Sequence, residues 1–197
     1  MRPEPVLRLA RIDDVARLET LIEASVRTLQ AQDYTSAQIE RSLHLVFGVD
    51  RQLVLDGGYF VLADGDESVA CGGWSFRRTL FGADAIHSRD DAELDPGVDA
   101  AKIRAFFVAP HWARRGLGGR LLAACEAAAY ARGFRDLELG ATLTGVPLYA
   151  RYGFREVERI SVPLAEGLDL AIVRMAKRLQ TPPPPWPSAL SPAPRRL

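Results

Sequence analysis

Apolar residues at Val15, Leu18, Ile22 and Val26 recur at spacings of three and four. That period predicts a helix with one buried face, starting at Asp13 with Asp13 or Asp14 as its cap. A short strand over residues 5–10 precedes it. A second helical stretch follows Thr35-Ser36, with Ile39, Leu43 and Val46 in helical register and Gly48 as its end. The pattern then changes to strands. Residues 59–63 and 69–77 flank Asp64-Gly65-Asp66, which predicts a hairpin. Gly72-Gly73 within the second strand predicts a bulge or a close approach by a ligand.

Residues 103–108 are apolar but for Arg104, the pattern of a strand buried on both faces. Ala109-Pro110 stops it. Leu117, Leu121, Ala124, Cys125 and Ala128 then mark a helix, closed by Gly133. A strand over 136–141 and a short helix opened by Gly145-Val146-Pro147 follow. Two strands, 155–164 and 168–175, meet at a Glu166-Gly167 turn. The order predicts a single α/β domain over residues 1–180 with a mixed sheet. Residues 181–197 are Pro-rich, lack periodicity and are set apart as a disordered tail.

Composition narrows the partners. Lys plus Arg and Asp plus Glu number 25 each, so bulk charge gives no reason to expect nucleic acid or an anionic membrane. No apolar run is long enough to span a bilayer, and no signal peptide is evident, which makes a cytoplasmic location the expectation. Cys71 and Cys125 are expected as buried thiols. The acidic stretch 79–99 holds Asp84, His87, Asp90, Asp91, Glu93 and Asp95, at spacings that fit no metal-ligand pattern. No metal is expected.

The chemistry is concentrated in Arg114-Arg115-Gly116-Leu117-Gly118-Gly119-Arg120. Strand, glycine turn and helix together make an anion seat. Glycines allow close backbone approach, and the first helical N–H groups lack intrahelical partners. Neither the Walker pattern nor the dinucleotide fingerprint is satisfied. Val108-Ala109-Pro110 followed by Arg115-Gly116-Leu117-Gly118 resembles the acyl-CoA motif of the GNAT superfamily of N-acetyltransferases. Tyr149-Ala150-Arg151-Tyr152-Gly153-Phe154 resembles that family's second motif, Y-x-x-x-G-F.

The resemblance implies a GNAT-like sheet splayed between two parallel strands, those around Phe106 and Leu139, with acetyl-CoA as co-substrate in the opening. It implies cofactor contacts from Phe106, Phe107, Val108, Arg114, Arg115, Gly116, Leu117, Gly118, Gly119, Arg120, Thr142 and Tyr149. The Val108 N–H is the implied oxyanion donor, and Tyr149 the implied general acid. The implied reaction is acetyl transfer to a primary amine of a small molecule or peptide. The competing readings are a non-catalytic acyl-CoA-binding module and a nucleotide binder.

Two departures stand out. Ala113 replaces the usual Gln or Arg, and Thr142 aligns with a frequent asparagine. The base is not fixed by sequence: Lys102 aligns with a glutamate of some members, while Glu138, His87 and Asp99 are alternatives, as is a neutral amine needing none. Strand parity places Lys102, Arg104 and Phe106 on one face, with Glu138 pairing with Arg104. Lys102 and Arg104 suggest an acceptor bearing a carboxylate. Trp74 and Phe76 either wall the acceptor pocket or belong to the core. A homodimer is compatible with the sequence, which does not read out oligomeric state.

Overall fold

The structure, a computed structural model, describes residues 4–43, 45–80, 92–180 and 182–183. Val6–Leu9 (β1) leads into Val15–Leu29 (α1), Ser36–Ser42 (α2) and Arg51–Leu55 (α3). Tyr59–Asp64 (β2) and Glu67–Ser75 (β3) form the expected hairpin. Ala101–Val108 (β4) precedes Leu117–Ala131 (α4). Asp136–Thr142 (β5), Val146–Arg151 (α5), Arg155–Pro163 (β6) and Asp169–Arg178 (β7) complete the order.

The strands form one sheet, ordered β1-β2-β3-β4-β5-β7-β6. Every neighbouring pair is antiparallel except β4 and β5. Those two pair only through Ala101↔Leu137, Lys102↔Glu138 and Ile103↔Leu139. Beyond Ile103, β4 continues against β3 while β5 continues against β7, so the sheet opens between them. This is the splay expected between the strands around Phe106 and Leu139.

The predicted faces of α1 and α4 are the buried ones. Leu18, Ile22, Val26, Leu121 and Cys125 are all at 1% exposure or less. Local chemistry sets the helix ends, and here two expectations are corrected. Asp14 does not cap α1. Its carboxylate turns back to accept the Arg11 N–H at 2.8 Å and two bonds from Arg8 at 2.6 and 2.8 Å. The Arg8 bonds hold the Asp14 carboxyl below the usual carboxylate range. The second helix ends at Ser42 rather than Gly48, because Leu43 turns extended. Its start is as expected, with Thr35 and Gln38 forming a capping box. The helix α3 is a further element: Asp50 caps it, its Oδ1 accepting the N–H groups of Gln52 at 3.0 Å and Leu53 at 3.3 Å.

No helix among the described residues is long and apolar enough to cross a membrane. Both thiols are buried and unpaired, and burial pushes Cys71 up to about 12. Asp84, His87, Asp90, Asp91 and, apart from residues 182–183, the Pro-rich tail lie outside the described residues.

Candidate active site

A bulge in β4 shapes the splay. Cys71 faces Phe107 and Gly73 faces Arg104, so Gly72 alone opposes Ala105 and Phe106. Ala105 takes a left-handed φ of 56° to make room for the extra residue. The glycine pair makes this possible. A Cβ on Gly72 would lie 2.6 Å from the Phe106 ring, and one on Gly73 would lie 2.7 Å from the Tyr59 ring. Successive strand residues point to opposite faces, so the two rings cross β3 on opposite sides. The expected bulge is found, with its extra residue on β4 opposite Gly72, and the close approach at the glycine pair is made by the protein's own rings rather than by a ligand.

The extra residue overturns the parity argument. Arg104 meets Asp50 at 2.8 Å and Phe107 meets Phe47 edge-on at 6.1 Å, both on the α2–α3 side. Phe106 points to the other face, its ring 6.0 Å from Tyr149. The expected Glu138–Arg104 pair is absent; Glu138 instead receives the Lys102 ammonium.

Tyr59 holds the bulge. Its hydroxyl, fully buried, lies 3.2 Å from the Ala105 carbonyl and 3.3 Å from Cys71 Sγ. One hydroxyl proton serves the carbonyl, and the protonated thiol can donate to the phenol oxygen. Across a planar trans peptide, the Phe106 N–H points opposite to the Ala105 carbonyl. Tyr59→Phe should leave that carbonyl unsatisfied and cost about 1–3 kcal/mol. Calorimetric unfolding checks this, and unchanged stability would mean the bulge holds without the bond.

A cleft of about 130 Å³ passes through the splay. On one side it is lined by Gly118, Leu148 and Tyr149, on the other by Gln30, Val46 and Phe47, with Phe106, Phe107, Val108 and Thr142 also on its walls. Trp74 and Phe76 do not line it. They are core, with Trp74 edge-on to Phe134 at 6.2 Å.

The glycine turn stands beside this cleft. Arg114 at φ 63° and Gly116 at φ 80° are left-handed, while Arg115 between them is not. Alternating handedness curls successive N–H groups into a concave anion seat. The seat continues into the first turn of α4, whose first internal bond is Arg120 N–H to Gly116 at 3.2 Å. Gly118 packs on Leu148 and Gly119 on the Tyr152 hydroxyl, which ties α4 to α5. The three arginines differ. Arg120 donates to the Pro5 carbonyl at 2.8 Å, Arg115 stacks on Trp112 at 4.7 Å, and Arg114 is exposed with no ion pair among the described residues.

Tyr149 is 8% exposed, its ring 5.9 Å from Phe154. Burial, with a smaller contribution from Cys125, pushes its phenol well above the ordinary tyrosine value. Thr142 Oγ1 accepts the Gly145 N–H at 3.2 Å and so shapes the entry to α5. The Val108 N–H, the expected oxyanion donor, is directed to Ser25 Oγ at 3.3 Å. No carboxylate or imidazole among the described residues lines the cleft. Asp99 is used locally, its carboxylate accepting the Asp95 N–H at 2.9 Å, and His87 lies outside the described residues.

Sequence reasoning missed Ser25 and Gln30, which are 4% and 6% exposed. Both were readable as polar residues in register with the buried face of α1: Ser25 three after Ile22, Gln30 four after Val26. Gln30 Oε1 is buried with no hydrogen-bond partner among the described residues, an arrangement that costs about 1–3 kcal/mol. Tyr34 pins this corner to the sheet. Its hydroxyl donates to the Ala171 carbonyl at 2.7 Å and accepts the Leu143 N–H at 2.9 Å.

Comparison with known proteins agrees with this geometry. Residues 85–179 match the family model of the acetyltransferase (GNAT) domain. A GCN5-related N-acetyltransferase from Rhodopseudomonas palustris superposes with TM-score 0.67 at 22% identity, over 91% of this chain and 98% of that one. The PaiA N-acetyltransferase of Thermoplasma acidophilum, in complex with coenzyme A, gives 0.59 at 14% identity, over 88% and 98%. YncA of Salmonella typhimurium, an acetyltransferase structure with acetyl-CoA, gives 0.58 at 16%, over 88% and 93%. By sequence, no curated protein matches the chain. The domain match assigns residues 85–179 to the acetyltransferase (GNAT) domain, and the solved structures show that its fold extends over about nine tenths of the chain.

Proposed function

We propose that the protein transfers an acetyl group from acetyl-CoA to a primary amine, within a catalytic unit spanning residues 1–180. The observation that carries this reading is the meeting of the β4–β5 splay with the anion seat at the start of α4. Two of the similar structures hold coenzyme A or acetyl-CoA, which supports the same ligand here. The N–H groups of residues 115–119 suit a pyrophosphate, with Arg114 and Arg115 adding charge. The splay suits an extended pantetheine arm beside Phe106, Phe107 and Val108. The Phe106 N–H, pointed away from the Ala105 carbonyl that Tyr59 holds, is the better-directed oxyanion donor, because Ser25 already takes the Val108 N–H.

Acetyl-CoA supplies an activated thioester carbonyl. The amine nitrogen bonds to that carbon, the carbon–sulfur bond breaks, and the nitrogen loses one proton as the thiolate gains one. Tyr149, on the wall of the cleft, serves the sulfur in this reading. Its phenol is held above its ordinary value of about 10, whereas a thiol titrates near 8.5, so complete proton transfer from Tyr149 is uphill. Its role is to donate a hydrogen bond to the leaving sulfur, with the proton coming from the nitrogen. The absence of a carboxylate or imidazole on the described lining fits an amine that reacts in its neutral form.

A hydrogen bond to a charged group contributes about 1.5–3 kcal/mol, so Tyr149→Phe should lower kcat about 10–100-fold with little change in acetyl-CoA affinity. Thiol release and calorimetric binding measure the two quantities. Unchanged kcat in Tyr149→Phe would remove Tyr149 from the mechanism.

A further inference from the structure

We propose that the acceptor is a primary amine carried on a compact apolar group without a carboxylate, its nitrogen donating a hydrogen bond to Gln30 Oε1. The inference rests on the acetyl-transfer reading and adds the acceptor class to it.

Three observations converge. The first is Gln30 itself, which lines the cleft with its carboxamide oxygen buried and unpartnered among the described residues. A carboxamide oxygen only accepts, so its complement is an N–H donor such as an amine; a carboxylate, which also only accepts, does not fit there. The second concerns the cations. Lys102 is held by Glu138, and Arg104 by Asp50 at 2.8 Å, with side-chain exposures of 9% and 3% for the two cations. Each positive charge is already matched by a carboxylate. The carboxylate-bearing acceptor suggested by Lys102 and Arg104 therefore loses its electrostatic basis. The third is the lining that Gln30 shares with Val46, Phe47, Ile103 and Ile172, all apolar; Arg104 is also on it, with its charge already met by Asp50. The cleft of about 130 Å³ also receives the thioester end of the pantetheine arm, and a cavity of roughly 150 Å³ accommodates one benzene ring, so the apolar group is held to no more than a short chain or a single ring.

The test is acetyl-CoA turnover by the full chain on four amines: butylamine, benzylamine, glutamate and spermidine. Butylamine and benzylamine should exceed glutamate and spermidine by roughly tenfold or more in kcat/KM. The variant Gln30→Met keeps the side-chain size and removes the acceptor oxygen. It should raise KM for butylamine roughly tenfold, the scale of one hydrogen bond, with acetyl-CoA affinity unchanged. Turnover of glutamate or spermidine at rates equal to butylamine would overturn the acceptor class while leaving acetyl transfer standing. So would an unaltered KM in Gln30→Met. Wild-type protein that does not bind acetyl-CoA in a calorimeter would instead remove the reading beneath it. The wild-type panel decides the question even where the variant folds poorly.

Discussion

Gly118→Asp is expected to abolish acetyl-CoA binding while leaving the fold intact. Gly118 lies in the first turn of α4, where N–H groups face the proposed pyrophosphate. A carboxylate there would fill the anion seat and repel the ligand. The same charge is favourable to a helix N-terminus by about 0.3–1 kcal/mol, so the helix itself should not suffer. The new Cβ would meet Leu148 Cδ2 at 2.9 Å, and that atom ends a flexible side chain able to shift. Titration calorimetry should show affinity reduced at least about 100-fold, about 2.7 kcal/mol, against an unchanged thermal midpoint. Gly118→Ala separates space from charge and should bind far better than the aspartate. Normal binding by Gly118→Asp would place the phosphates elsewhere.

Asp50→Ala should be the most destabilising single change of those considered. Asp50 and Arg104 form a pair with side-chain exposures of 1% and 3%. Removing the carboxylate leaves a guanidinium buried without its counter-charge, which costs about 3–5 kcal/mol. It also removes the cap of α3, worth about 1 kcal/mol. For a domain of this size each kcal/mol lowers the midpoint by about 2–4 °C, so a fall of about 8–24 °C is expected by calorimetry. A fall under about 3 °C would show that the pair is dispensable.

The parts of the site that the sequence made legible are those that need unusual residues. The anion seat requires glycines after a strand stop, and α5 opens with Gly145 and Pro147, so both leave punctuation in the chain. The splay was legible only through the resemblance to the GNAT motifs; the two apolar strands separated by one helix marked the strands themselves but not their parting. What stayed hidden depends on ordinary residues placed by tertiary packing. Ala105 has nothing in its side chain to mark a left-handed backbone, and the bulge there reversed the parity of Phe106. The five-residue α3 is too short for periodicity to show, and only its cap, Asp50, marks it. Gln30 and Ser25 were visible as polar residues on an apolar face, but their partners were not. Val108 shows the same limit, because the direction of its N–H depends on where α1 puts Ser25.

The short parallel pairing of β4 with β5 gives the molecule a mechanical seam. On one side lie β1 to β4, tied by antiparallel ladders; on the other lie β5, β7 and β6, tied in the same way. Few backbone bonds cross between the halves, so Tyr34, reaching from the α1–α2 connection to Leu143 just past β5 and to Ala171 in β7, serves as a rivet across them. A ligand lying in the seam touches both halves at once. Its binding therefore couples their opening motions, and it makes two loosely joined plates behave as a single rigid one.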